Sequence, residues 1–64
     1  MASGEFEVYK DAGGKYRWRL RDANGVEIAA SGESFDSKSN ATRAAENVRD
    51  SAAGARIEDS DSEG

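Results

Sequence analysis

Apolar and polar positions alternate over residues 5–10, EFEVYK: Phe6 and Val8 fall on one side, Glu5, Glu7 and Tyr9 on the other. Period two through β-branched and aromatic residues predicts a strand. DAGG, residues 11–14, supplies a turn, because glycine takes φ > 0 without steric cost. Residues 15–22 then alternate most cleanly of all, with Tyr16, Trp18 and Leu20 set between Lys15, Arg17, Arg19 and Arg21. Asn24-Gly25 is a strong short hairpin signal. Beyond it Val26, Ile28 and Ala30 alternate with Glu27, Ala29 and Ser31, which predicts a third strand. Three strands joined by tight turns make an antiparallel meander with KYRWRLR at its centre.

After Gly32 the period changes. Phe35 stands alone in a polar loop and is expected to tuck under the sheet edge. Ser37 or Ser39 can cap a helix by accepting a hydrogen bond from an early amide. Ala41, Ala44, Ala45, Val48 and Ala52 then recur at helical spacing. Gly54 offers a stop. ARIE, residues 55–58, has Ile57 as its one large apolar side chain and predicts a short fourth strand. The expected fold is α+β, in the order β-β-β-α-β. Its helix covers a core of Phe6, Val8, Tyr16, Trp18, Leu20, Val26 and Ile28, with Phe35 and Val48 at the margins. Most of the helical stripe is alanine, which allows close approach to the sheet, and a bulky side chain such as Trp18 fills the space.

Length limits how far such a core can hold the chain. Sixty-four residues make one small domain, and a chain of this size buries only about 60% of its unfolded surface. Small domains commonly add a disulfide, a metal or a partner subunit. Cysteine and histidine are both absent. That removes disulfides, thiolate metal sites and the usual general base near neutral pH. No Asp/Glu spacing resembles an EF-hand loop, so no cofactor or metal is expected. Self-association is left as the expected staple.

The formal net charge of −4 is unevenly placed. EDSDSEG, residues 58–64, holds four acids and no base; without it nine acids face nine bases. The body is therefore neutral and the tail acidic. Residues 59–64 are expected to be disordered, residues 1–4 to be a flexible lead-in, and residues 5–58 to form the domain. Similar amounts of Asp and Glu, scarce Lys and abundant Ala match the surfaces of proteins from salt-accumulating organisms. A mesophilic acidic protein with a solubilising tail is the alternative. No apolar run reaches the ~18 residues of a membrane span, and MASGEFEV has neither a basic n-region nor an apolar h-region. A cytoplasmic protein with no membrane partner is expected.

Trp18-Arg19-Leu20, Asn24-Gly25, Ser37-Lys38-Ser39 and Val48-Arg49 occur in an order and spacing that resemble the YegP-like family, a family of unknown function in bacteria and archaea. The resemblance covers residues 5–58. It implies β-β-β-α-β units used in pairs, as tandem copies in some chains and as homodimers that exchange C-terminal strands where a chain carries one copy. One copy is present here, so the resemblance implies a homodimer, with Ala55, Arg56, Ile57 and Glu58 as the exchanged strand. Two positions depart from the family pattern. Ala44-Ala45 stands where the family tends to have Gly-Ile, and Phe35 where it tends to have Tyr. The resemblance brings no catalytic or ligand-binding residues with it.

KYRWRLR poses the chief functional question. Cations interleaved with aromatics suggest phosphate contact with base stacking. Strand geometry sends the aromatics to the face opposite the cations, and Glu5, Glu7 and Glu27 are expected to flank Lys15, Arg17, Arg19 and Arg21. A charge-paired sheet face is therefore expected, and nucleic acid is a less favoured partner than protein. Glu33 and Asp36 lie in a polar loop without a supporting catalytic group. Gly13-Gly14 lacks the Lys-Ser/Thr of a phosphate loop, and Asn40-Ala41-Thr42 matches a glycosylation sequon at a helix start without a secretion signal. The expected function is that of a non-enzymatic interaction or structural module, with nucleic-acid binding as the alternative.

Overall fold

The computed structural model describes residues 4–60. The expected flexible lead-in therefore falls mostly outside the described residues, as does the end of the acidic tail. Three strands, β1 (Glu5–Lys10), β2 (Tyr16–Arg21) and β3 (Glu27–Ala30), precede one helix, α1 (Lys38–Ala52). The sheet is antiparallel in the order β1-β2-β3. An α+β meander with one helix follows directly from the change of period after Gly32.

Both turns of the meander are built alike. In each, an aspartate carboxylate accepts two backbone N–H groups. Asp11 takes those of Gly13 and Lys15 at 2.9 and 3.0 Å, and Asp22 those of Asn24 and Val26 at 2.9 and 3.0 Å. In each, the glycine three residues after the aspartate donates to the aspartate carbonyl, at 3.1 and 2.9 Å. Those glycines, Gly14 and Gly25, have φ of 84° and 86°. Among the described residues no residue other than glycine has positive φ, so the Asn24-Gly25 turn is not the type I′ form, which needs positive φ at both residues. It has the form of a type I turn closed by a left-handed glycine.

β1 and β2 pair in register over six positions, from Glu5↔Arg21 to Lys10↔Tyr16. β2 and β3 pair as Arg21↔Glu27 and Leu20↔Ala29, so Ile28 is an extra residue in β3. One inserted residue inverts the alternation that follows it. Ala29, not Ile28, thus shares the face of Leu20. The sheet edge continues past β3: Ser31 donates its N–H to the Trp18 carbonyl, and Tyr16 and Phe35 exchange two backbone hydrogen bonds of 2.8 Å. Phe35 therefore joins the sheet by its backbone and is half-buried.

Ser37 opens α1 with extended φ and ψ of −131° and 154°, its hydroxyl accepting the Asn40 N–H at 3.2 Å. The helix closes by two i→i+3 bonds, Gly54 to Ser51 and Ala55 to Ala52, both 3.2 Å. Gly54 marks the stop without taking a left-handed conformation.

α1 packs on β1 and β2 and does not reach β3. Among the described residues Ala41, Ala45 and Trp18 are the buried core, and the Phe6 ring meets Trp18 edge-on at 5.4 Å. Val8, Tyr16 and Leu20 are half-buried beside them. The expected core is too wide on the β3 side. Val26 is 57% exposed, Ile28 59% and Val48 38%. Ile28 is turned out by the bulge. Val26 lies at the far turn, beside a strand that α1 leaves bare. The fourth strand is also absent from the chain taken alone: residues 55–58 form no strand, and all are exposed.

Candidate interaction surfaces

Alternation places Glu5, Glu7, Tyr9, Arg17, Arg19 and Arg21 on the sheet face away from α1, and the register sets them opposite one another. Glu7 is the hub. Its Oε1 accepts from Arg19 Nε at 2.9 Å and from Arg21 Nη1 at 2.5 Å. Those two donated bonds hold the Glu7 carboxyl below its ordinary pKa, and the Glu7 bond in turn raises that of Arg19. Arg19 also lies over the Tyr9 ring, 4.5 Å from its centroid. Glu27 and Glu5 stand further off, 3.8 Å from Arg19 and 3.9 Å from Arg21.

Arg17 and Lys15 take other partners. Arg17 Nε donates to Asp11 Oδ2 at 2.8 Å. Asp11 thereby uses one carboxylate oxygen to build its turn and the other to hold β2. Its pKa is depressed, first by the Arg17 bond and next by the Lys15 backbone N–H. Lys15 Nζ reaches Asp36 in the loop before α1, at 2.5 Å. That contact raises the lysine pKa and lowers the aspartate's. Each of the four cations singled out from the sequence is thus matched to a carboxylate. Pairing by Glu5, Glu7 and Glu27 was legible in the strand pattern. The roles of Asp11 and Asp36 were missed, although the repeat DAGG and DANG, with an aspartate three residues before each glycine, carries the signal for Asp11.

The opposite side offers a shallow groove of about 190 Å³ between β1 and α1. Phe6, Val8 and Ala45 give it an apolar floor, and Thr42, Glu46 and Arg49 line its helix side. Beyond α1, residues 55–58 form an exposed arm on which Ile57 is 98% accessible. Among the described residues no cluster of three or more ligating side chains could hold a metal ion. No helix among them is long and apolar enough to cross a membrane.

Residues 11–59 match the family described as "Domain of unknown function (DUF1508)". The chain belongs to that family. A UPF0339 protein of Neisseria meningitidis serogroup B is 44% identical over 54 residues, spanning 84% of this chain and 95% of the relative. The solution NMR structure of a protein from Haloferax volcanii superimposes with a TM-score of 0.83 at 42% identity, over 92% of this chain and 98% of that one. A UPF0339 protein of Stutzerimonas stutzeri is 42% identical over 50 residues, which are 78% of this chain but 44% of its own length. Membership of DUF1508 agrees with the YegP-like resemblance seen in the motifs, and the family description assigns no activity.

Proposed function

We propose that this DUF1508 chain is a non-enzymatic protein-interaction or structural module that works as a homodimer, each copy lending residues 55–58 to the other. One observation carries the reading: Ile57 is 98% exposed on an arm without a strand partner. A large apolar side chain held in water forgoes roughly 1.5–3 kcal/mol of burial, and this chain has few buried residues to spare. Among the described residues, neither outer edge of the sheet carries a further strand. The Stutzerimonas relative, more than twice the length of its matched part, leaves room for a second unit in one chain. Deletion of residues 55–64 tests the proposal. Light scattering and circular dichroism are expected to show a monomer or an unfolded chain; a truncated protein that stays folded and dimeric contradicts strand exchange.

Nucleic-acid binding is the second reading, and Tyr9 favours it, because this aromatic ring shares the face of the cations. The carboxylates matched to those cations weigh against it, since phosphate would have to displace them. Fluorescence anisotropy with labelled RNA and DNA across a salt series decides the matter. Binding that weakens steeply with salt supports this reading, and no binding at low salt by the folded protein removes it. A cytoplasmic setting and dependence on high salt belong to the same proposal. Circular dichroism from low to molar potassium chloride tests the latter, and equal stability throughout counts against it.

A further inference from the structure

The DANG turn carries chemistry that its DAGG counterpart lacks. Asn24 stands before Gly25, whereas the equivalent place in the first turn is Gly13. Asn40 precedes Ala41 and Asn47 precedes Val48, so Asn24 is the one asparagine of the chain followed by glycine. Glycine has no side chain to shield its backbone nitrogen, and Asn24 and Gly25 are both exposed. An asparagine in this setting can lose its side-chain amide without an enzyme. Hydroxide takes up the Gly25 N–H proton, and the nitrogen bonds to Asn24 Cγ. The Cγ–Nδ2 bond breaks, and Nδ2 leaves as ammonia with a proton returned from water. Water then opens the resulting five-membered imide at either carbonyl. One product is aspartate. The other is isoaspartate, in which the main chain runs through the side-chain carbons.

In the folded turn the reacting groups are held out of this geometry. The attacking nitrogen is engaged, because the Gly25 N–H donates to the Asp22 carbonyl at 2.9 Å. The Asp22 carboxylate holds the amides on either side, Asn24 at 2.9 Å and Val26 at 3.0 Å. The Asp22 N–H closes the turn onto the Val26 carbonyl at 2.9 Å. The Gly25 nitrogen reaches Cγ only if the backbone rotates between Asn24 and Gly25, and that rotation breaks these bonds. We infer that Asn24 is a spontaneous modification site, locked by Asp22 and released when the β2–β3 hairpin opens. This hairpin is the weaker of the two. β3 is four residues long, carries the extra residue Ile28 and has no helix above it, and local opening costs least where packing is thinnest. The damage stays with β3 as well. Isoaspartate lengthens the main chain at the turn that sets the β2–β3 register, whereas Trp18, Ala41 and Ala45 are buried where α1 meets β1 and β2. Modification of Asn24 thus detaches β3 irreversibly and leaves the packed half folded.

Peptide mapping by mass spectrometry tests the lock by following conversion of amide to acid at residue 24, with Asn40 and Asn47 as internal references. The native full chain is compared with the same chain unfolded in urea at one mildly alkaline pH. Residue 24 is expected to convert several-fold more slowly in the native protein, and equal rates overturn the lock. Asp22→Ala, verified as folded by circular dichroism, is expected to convert several-fold faster than the native chain; an unchanged rate also overturns it. If that variant does not fold, the native chain in urea below its unfolding transition serves instead. Conversion at residue 24 is then expected to rise in step with hydrogen exchange of the Gly25 amide, and conversion that ignores exchange contradicts the lock. Faster conversion at Asn40 or Asn47 than at Asn24 in the unfolded chain removes the site. The purified isoaspartate product is expected to lose amide protection in β3 while Trp18 keeps the emission of a buried ring. Intact protection in β3, or exposure of Trp18 as well, contradicts confinement of the damage.

Discussion

β1 and β3 flank the same central strand and are joined to it by turns of the same build, yet they end up in different surroundings. β1 matches β2 residue for residue, and α1 lies over the pair. β3 slips by one residue at Ile28 and is left bare. Turn chemistry alone therefore does not determine how a strand is used. Asp11 and Gly14 do for one hairpin what Asp22 and Gly25 do for the other; what differs is the single extra residue and where the helix lands. α1 is walled mainly by alanine and can cover only about two strands. The packed half holds the domain together, and the unpacked remainder, above all the arm with Ile57, is left exposed.

Trp18→Ala breaks the packed half and has the largest expected effect. It removes the one large buried side chain among the described residues, at a cost of about 3–5 kcal/mol. A domain of this size has a total stability of roughly 3–10 kcal/mol. Thermal melts are expected to show a midpoint lowered by at least about 12 °C, and a cooperative melt near that of the native protein contradicts the placement of the core. Ala45→Leu sharpens the same point. Ala45 is 5% exposed against the sheet, and overpacking there is expected to cost about 1–3 kcal/mol by urea denaturation.

The matched turns predict matched penalties. Gly14→Ala and Gly25→Ala each force an L-residue into the left-handed region and are expected to cost about 1–2 kcal/mol, equal within error. A clear inequality between them would show that the hairpins differ in more than their strands. At the small end, Ile28→Ala is expected to change stability by less than about 0.5 kcal/mol, because the bulge holds Ile28 in solvent. A loss above about 2 kcal/mol would place β3, not β1, against a partner.

The charged face predicts a pH dependence of definite sign. Glu7 and Asp11 have folded pKa values below their ordinary 4.5 and 3.8. A depressed carboxyl contributes its full stabilisation above the unfolded pKa and loses it as pH falls through the folded one. Stability is therefore expected to hold from neutral pH to about pH 5 and to fall below that. Glu7→Gln should flatten the acid limb in melts recorded from pH 7 to pH 3. An unchanged acid limb in that variant would show that its two arginine bonds do not persist in solution.

The meander and the helix were legible because their signals are local. YRWRL declares a strand with two faces through its own alternation, and Ser37 followed by an alanine stripe declares a helix and its start. The bulge at Ile28 was not legible: EIAA alternates as well in one register as in the other, and only pairing with β2 fixes which residue is extra. Nor does a row of small side chains say which strands it will cover, so Val26 and Ile28 were credited with burial they lack. Among the surfaces, cross-strand pairing of Glu7 with Arg19 followed from period two. Asp36 reaches Lys15 from a loop 21 positions on in sequence, and no short-range pattern reports that. The groove is likewise a product of tertiary packing, although Phe6, Val8 and Ala45 were each placed correctly on an apolar face.

Whether the exposed arm has a partner is tested most directly by the mass of the native particle. Multi-angle light scattering of the full chain is expected to give twice the 6.8 kDa chain mass at micromolar concentration. A folded particle of 6.8 kDa that persists as concentration rises would contradict it.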